Sequence, residues 1–135
     1  MRTQASFRLW GRACLTAAAV TDRLGVDPTS VHEDGEAVSA RSSAVRSGSI
    51  WILTSSEAIE DGIELEDHLE RLLALLEPHA GVLWALVAEG YEANWFCFVA
   101  SDAAEHAVEL GRGVLSRLLR LPGDLWLDVC GDSDS

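Results

Sequence analysis

The chain has 135 residues, 48% of them hydrophobic and 24% charged, which suits one domain with one sizeable core and excludes wholesale disorder. Twenty-two Asp and Glu oppose ten basic residues, all arginine, so the formal charge is −12. Such a field repels a phosphate backbone and argues against nucleic-acid binding, while suiting a basic protein partner or simple solubility.

The first predicted strand is Ala5-Ser6-Phe7-Arg8-Leu9-Trp10, where alternation puts Phe7 and Leu9 on one face and Arg8 and Trp10 on the other. Gly11 breaks it. A short helix follows from about Leu15 to Leu24, with Gly25 at the position of a left-handed C-cap and Pro28 stopping continuation. Arg2 and the apolar run Ala13–Val20 loosely imitate a secretion signal, but Arg8 and Arg12 interrupt the pattern. No segment reads as the ~20 apolar residues of a membrane span, so a cytoplasmic location is expected.

From Asp27 to Ser49 periodicity fades. Ser39 to Ser49 holds five serines and two arginines without an acid, so a mobile Ser/Arg-rich loop is expected near 37–49, with one weak strand around Glu36-Ala37-Val38. Ser49 to Ser55 is a nearly continuous apolar strand, as for an interior position covered on both faces. Leu65, Leu69, Leu72, Leu73 and Leu76 then recur at helical spacing, and Val82, Leu83, Leu86 and Val87 continue the pattern. Pro78 interrupts it at a cost of roughly 3 kcal/mol inside a helix, so two helices meeting at Glu77-Pro78 are preferred to one kinked helix.

Beyond Gly90, Tyr91 to Ser101 reads as a strand rich in aromatics. A strand near His106–Leu110, a helix over Val114–Leu121 and a last strand over Asp124–Val129 follow, with an acidic disordered tail at 131–135. The expected fold is α+β over residues 1–130. Its core is a ferredoxin-like split βαβ unit with an added C-terminal β-α-β, the sheet mainly antiparallel and the helices on one face.

With these elements placed, the chain resembles the bacterial family catalogued as domain of unknown function 4279. The resemblance rests on Leu24-Gly25-Val26-Asp27-Pro28-Thr29, on His32 with Gly35-Glu36, and on Trp51 opening Trp-Ile-Leu-Thr-Ser-Ser. It continues through His68-Leu69 before Leu72 to Pro78, Gly90-Tyr91-Glu92, and Leu125-Trp126-Leu127-Asp128-Val129. The family tends to end this last strand in an aromatic, where this chain has Cys130. The resemblance implies a small α+β domain and no particular reaction.

No phosphate loop, dinucleotide fingerprint, nucleophile elbow or H-E-x-x-H is present, and no cofactor is indicated. Cys14, Cys97 and Cys130 are odd in number and widely spaced, as for buried free thiols rather than a disulfide or zinc framework. Cys97 has no neighbour in sequence that would activate it. His32, among Glu33, Asp34 and Glu36, is the best metal candidate, although its segment lacks fixed ligand spacing; Glu64 and His68 suit an exposed helical ion pair.

Two surfaces stand out. Glu57, Glu60, Asp61, Glu64, Glu66, Asp67 and Glu70 crowd fourteen residues without an arginine, more than a helix dipole needs. If Phe7, Leu9, Leu125, Leu127 and Val129 face the helices, then Arg8, Trp10, Trp126 and Asp128 share the other sheet face, a composition suited to recognition. The leading expectation is a non-enzymatic protein-interaction module, immunity-like or regulatory. It would bind another protein, a basic one suiting the charge, through the acidic helix start (Glu60, Asp61, Glu64, Asp67) or the Trp/Arg face, with a homo-oligomer also open. The alternative is a small-molecule or anion-binding domain or enzyme, with a pocket between sheet and loop and Arg8, Arg41 or Arg46 holding the anion. A third is an acidic mimic of nucleic acid.

Overall fold

The computed structural model describes residues 1–37, 47–56, 60–101 and 107–131. It is an α+β domain built on one mixed sheet. The strands are β1 (Arg2–Gly11), β2 (Ser30–His32), β3 (Ser49–Thr54), β4 (Glu60–Asp61), β5 (Glu92–Ser101) and β6 (Asp124–Gly131). The helices are α1 (Ala17–Leu24), α2 (Leu65–Leu76), α3 (Ala80–Ala88) and α4 (Arg112–Leu119). Strand order is β2-β3-β1-β5-β6, with β4 beside the start of β1. The β2–β3, β3–β1, β1–β4 and β1–β5 pairs are antiparallel, and β5–β6 is parallel.

Period-two alternation places the core. Phe7, Leu9, Trp51, Trp95 and Cys97 are no more than 1% exposed and pack with Val20, Leu69, Leu72 and Leu83 from the helices. Phe7 and Trp95 are register partners whose rings meet at 4.8 Å. Buried indoles keep their N–H groups satisfied: Trp51 Nε1 donates to Thr21 Oγ1 at 3.0 Å and Trp95 Nε1 to the Pro122 carbonyl at 3.1 Å.

Helix ends follow the local chemistry. Thr16 Oγ1 accepts from the Ala19 N–H, and Gly25 closes α1 at φ 68° with its N–H on the Thr21 carbonyl. A 3₁₀ turn over Glu77–His79, containing Pro78, joins α2 to α3, so the missing N–H of proline falls between two helices. Together these turns make a 24-residue run, Leu65–Ala88, which by length and composition alone is enough to cross a membrane, contrary to the expectation from the sequence. Its fully buried leucines lie in the core of the domain.

The long-range pair Glu77–Arg117 ties this helical run to α4. Arg117 Nε donates to both Glu77 carboxylate oxygens at 3.1 and 3.2 Å, and these bonds hold the Glu77 carboxyl below the usual range. With its folded value lowered, the pair's contribution is complete above the unfolded carboxylate pKa of about 4.3 and is lost as pH falls through the folded value. Glu77→Gln is therefore expected to cost at most about 1 kcal/mol at neutral pH, for a pair still one-third exposed. In urea titrations the gap between variant and parent should shrink below about pH 4; a gap that widens there contradicts the assignment.

Several expectations need correction. Of the weak strand expected at Glu36-Ala37-Val38, Val38 lies outside the described residues and Ala37 forms an isolated bridge, while β2 stands earlier, at Ser30–His32. Most of the expected mobile loop, residues 38–46 with Arg41 and Arg46, lies outside the described residues, as do His106 and 132–135. Residues 107–110 form no strand, and Gly131 belongs to β6 rather than to a tail. The face of β6 expected against the helices is exposed: Leu125 at 37%, Leu127 at 53% and Val129 at 70%. Cys14 and Cys130 are exposed, not buried. Only Cys97 is a core thiol, and burial pushes its pKa up to about 12. Native protein should accordingly react with a thiol reagent at Cys14 and Cys130 and release Cys97 only on unfolding; rapid labelling of Cys97 at pH 8 would contradict this burial.

Candidate functional site

The sheet face turned away from Phe7 and Leu9 carries the most unusual residue of the structure. On β1, alternation sends Arg8 and Trp10 to that face. Register then sets their neighbours: Arg8 opposite Asn94, Trp10 opposite Glu92, and Phe96 opposite Trp126 on β6. These side chains line a cleft of about 760 Å³, within the usual range for small-ligand sites. Trp10 and Trp126 remain 42% and 59% exposed.

The end of the cleft beyond Trp10 is built by a tight backbone crossing. Gly48, at φ 95°, has room only for hydrogen, since a methyl there would lie 2.7 Å from the Gly11 carbonyl oxygen. Ser49 Oγ donates to the Leu15 carbonyl at 2.6 Å, and the Gly48 N–H donates to Asp34 Oδ1 at 2.8 Å. Ala13, also in the lining, sits at φ 52°, a left-handed conformation uncommon for a residue with a Cβ.

Arg8 is electrostatically uncompensated. Its guanidinium carbon lies 4.0 Å from the centroid of the Phe96 ring, and its buried Nε has no hydrogen-bond partner. Among the described residues it forms no ion pair, and burial lowers its pKa. The aromatic contact contributes about 0.5–2 kcal/mol but satisfies no N–H donor. Beside it, the buried Oδ1 of Asn94 also lacks a partner. An orphan donor and an orphan acceptor therefore sit on adjacent strands, both buried and both carried by residues that line one cleft. Leaving such groups unpaired costs about 1–3 kcal/mol each, more when charged.

The remaining candidates fall elsewhere. Asp128 is two residues beyond Trp126 on β6 and does not line the cleft. Glu60 and Asp61 form β4, with backbone register to Thr3 and Arg2, about 20 Å along β1 from Arg8 and Trp10. Glu64 is the N-cap residue of α2 and Asp67 lies in its first turn; with Glu66 and Glu109 they line a separate acidic hollow. Part of that acidity has a structural use, because Glu66 Oε2 accepts the Gly111 N–H at 2.7 Å where α4 begins. The two surfaces expected from the sequence are thus not brought together.

The histidine and acid clusters also acquire ordinary roles. His68 is fully buried, with Nδ1 2.8 Å from Ser55 Oγ, so it is not half of an exposed pair with Glu64. Around His32, Glu33 accepts the Ala17 and Ala18 N–H groups at the start of α1, Asp34 holds Gly48, and Glu36 lies 3.7 Å from the imidazole. Among the described residues, no group of three His, Cys, Asp or Glu converges as a metal site.

Asn94, Phe96 and Glu92 were missed in the sequence. The parity rule that paired Arg8 with Trp126 also reaches them, because β5 lies between β1 and β6.

A mixed α+β domain with a cleft around an uncompensated guanidinium is the class of protein that this fold and site define. The chain belongs to the family described as domain of unknown function (DUF4279), whose model matches residues 1–131. No curated protein and no solved structure matches it.

Proposed function

We propose that this chain is a non-enzymatic recognition module whose cleft captures an anionic group through Arg8. The observation that carries the reading is the guanidinium itself. In a chain with more than twice as many acids as bases, no carboxylate among the described residues pairs with Arg8, whose pKa burial lowers. A bound anion would supply the missing partner, and charge-assisted hydrogen bonds of this kind contribute about 1.5–3 kcal/mol. Thermal-shift titration with small carboxylates tests it: millimolar concentrations should raise the melting temperature of the parent and not that of Arg8→Gln. Equal shifts in both proteins would remove Arg8 from the site.

A second reading, the protein-interaction module, has its own observation in β6. All eight residues of this strand are exposed, and among the described residues it pairs only with β5. A free edge with apolar side chains on both faces is a template for another strand. The partner proposed is a second copy. Antiparallel pairing centred on Leu127 would set Leu125 against Val129 and Trp126 against Asp128, so no carboxylate meets another carboxylate. Light scattering should then show a dimer that Leu127→Lys dissociates; a parent that stays monomeric at high micromolar concentration rejects it.

For the fold, a ferredoxin-like split unit is proposed for the segment through β5. The order β2-β3-β1-β5 with antiparallel neighbours supports it, and the parallel β6 is the addition. A bacterial, cytoplasmic setting is proposed from the sequence alone.

A further inference from the structure

The cleft has two poles rather than one. At one end of the row across the sheet stands the unpaired guanidinium of Arg8, and next to it the unpaired acceptor Oδ1 of Asn94. Two carboxylates, Asp34 and Glu92, also line the cleft, Glu92 with an exposed Arg12 at 3.6 Å. Its aromatic residues, Trp10, Phe96 and Trp126, offer faces to a flat apolar body or to a cation. A bare anion satisfies only the guanidinium and leaves Asn94 Oδ1 buried and unmatched.

The field of the whole chain narrows the ligand further. At a formal −12, a polyanion such as a nucleotide or a multiply charged phosphate is repelled at every distance within the Debye length, about 8 Å at physiological salt. A ligand without net charge escapes this repulsion while still bringing a carboxylate to Arg8. Its cationic end then has the Asn94 oxygen and the acidic side chains to meet.

We infer that the cleft binds a small zwitterion, an α-amino acid with an aromatic side chain or a close analogue of one, its carboxylate on Arg8 and its ammonium on Asn94 Oδ1 and the acidic part of the lining. This inference rests on the anion-capturing role proposed for Arg8 and adds the second pole. The ring of such a ligand stacks among Trp10, Phe96 and Trp126, and the cleft volume accommodates an indole.

Three matched probes separate the poles by isothermal titration calorimetry: L-tryptophan, indole-3-propionate without the ammonium, and tryptamine without the carboxylate. Tryptophan is expected to bind at least tenfold tighter than either. Asn94→Leu should bring tryptophan and indole-3-propionate to within about threefold of each other, and Arg8→Gln should weaken both carboxylates at least tenfold. Circular dichroism and melting of each variant confirm that it folds. Indole-3-propionate binding as tightly as tryptophan, with both dependent on Arg8, overturns the zwitterion and leaves the anion site standing. Binding indifferent to Arg8, or no binding of any probe at 10 mM, overturns the inference; small carboxylates that still stabilise the parent through Arg8 would then keep the anion reading alive.

Discussion

Arg8→Met is expected to make the unliganded protein more stable and, in the same step, to abolish capture of a carboxylate. The guanidinium is held partly out of water with its Nε unpaired and, among the described residues, no counter-ion. Methionine has a similar reach, carries no charge to desolvate and retains contact with the Phe96 ring through its sulfur. Against this stands the lost cation–π contact, about 0.5–1 kcal/mol at a partly exposed site. The balance favours the variant by about 1 kcal/mol, or about 3–5 °C in melting temperature for a domain of this size. Affinity for a carboxylate should fall by roughly 10- to 100-fold, since a charge-assisted hydrogen bond is lost. Calorimetric melting with and without ligand reads both effects. A variant that melts below the parent would mean that Arg8 stabilises the fold and is not held in reserve for a ligand. Opposite signs for stability and binding are the signature of a functional group maintained at a structural cost.

Gly11→Ala is expected to produce the largest loss of stability among glycine substitutions beside the cleft that do not already face positive-φ strain. A methyl at this position would lie 2.3 Å from the Leu15 carbonyl oxygen, 2.8 Å from Ser49 Oγ and 2.9 Å from Leu15 Cβ. Backbone and a hydrogen-bonded hydroxyl cannot swing aside as a flexible side-chain tip does. The variant must separate Leu15 from Ser49, breaking their 2.6 Å hydrogen bond, at an expected cost of about 1–3 kcal/mol. Gly25→Ala is the control: it meets nothing within 4 Å and carries only the strain of φ 68°, about 1 kcal/mol. Urea midpoints at unchanged m-value compare the two. Gly11→Ala as mild as Gly25→Ala would show that the turn after β1 relaxes easily. The turn also bears Arg12 and Ala13 of the cleft, so ligand affinity should fall with stability in Gly11→Ala alone.

What was legible in the sequence follows the range of each signal. Local patterns resolved well: the Gly25 cap, the break at Pro78 and the alternation on β1 each depend on neighbours within one or two turns. The parity of Arg8 and Trp126 was also readable, and both line the cleft. Pairing was not readable, because nothing local to β6 says that it lies parallel to β5 or that its apolar side chains stay exposed. Leu125, Leu127 and Val129 look like core residues in sequence and are exposed for that reason. The same gap hid Asn94 and Phe96, which become neighbours of Arg8 only through the β1–β5 register. For the acidic cluster the sequence offered both a docking surface and a solvated face; in the structure Glu66 is engaged at the start of another helix and Glu64 begins its own.

The exposure of β6 also has a kinetic meaning. A strand whose residues are all more than a third exposed and that, among the described residues, pairs on one side only is held chiefly by a single ladder of backbone hydrogen bonds. Its opening free energy must lie well below that of the central strands, so its amides should exchange with solvent first among the long strands. Trp126 rides on that strand. One wall of the cleft therefore belongs to the least protected of the long strands, and a ligand seated against Trp126 would slow exchange along the whole of β6 while leaving β1 and β3 unchanged.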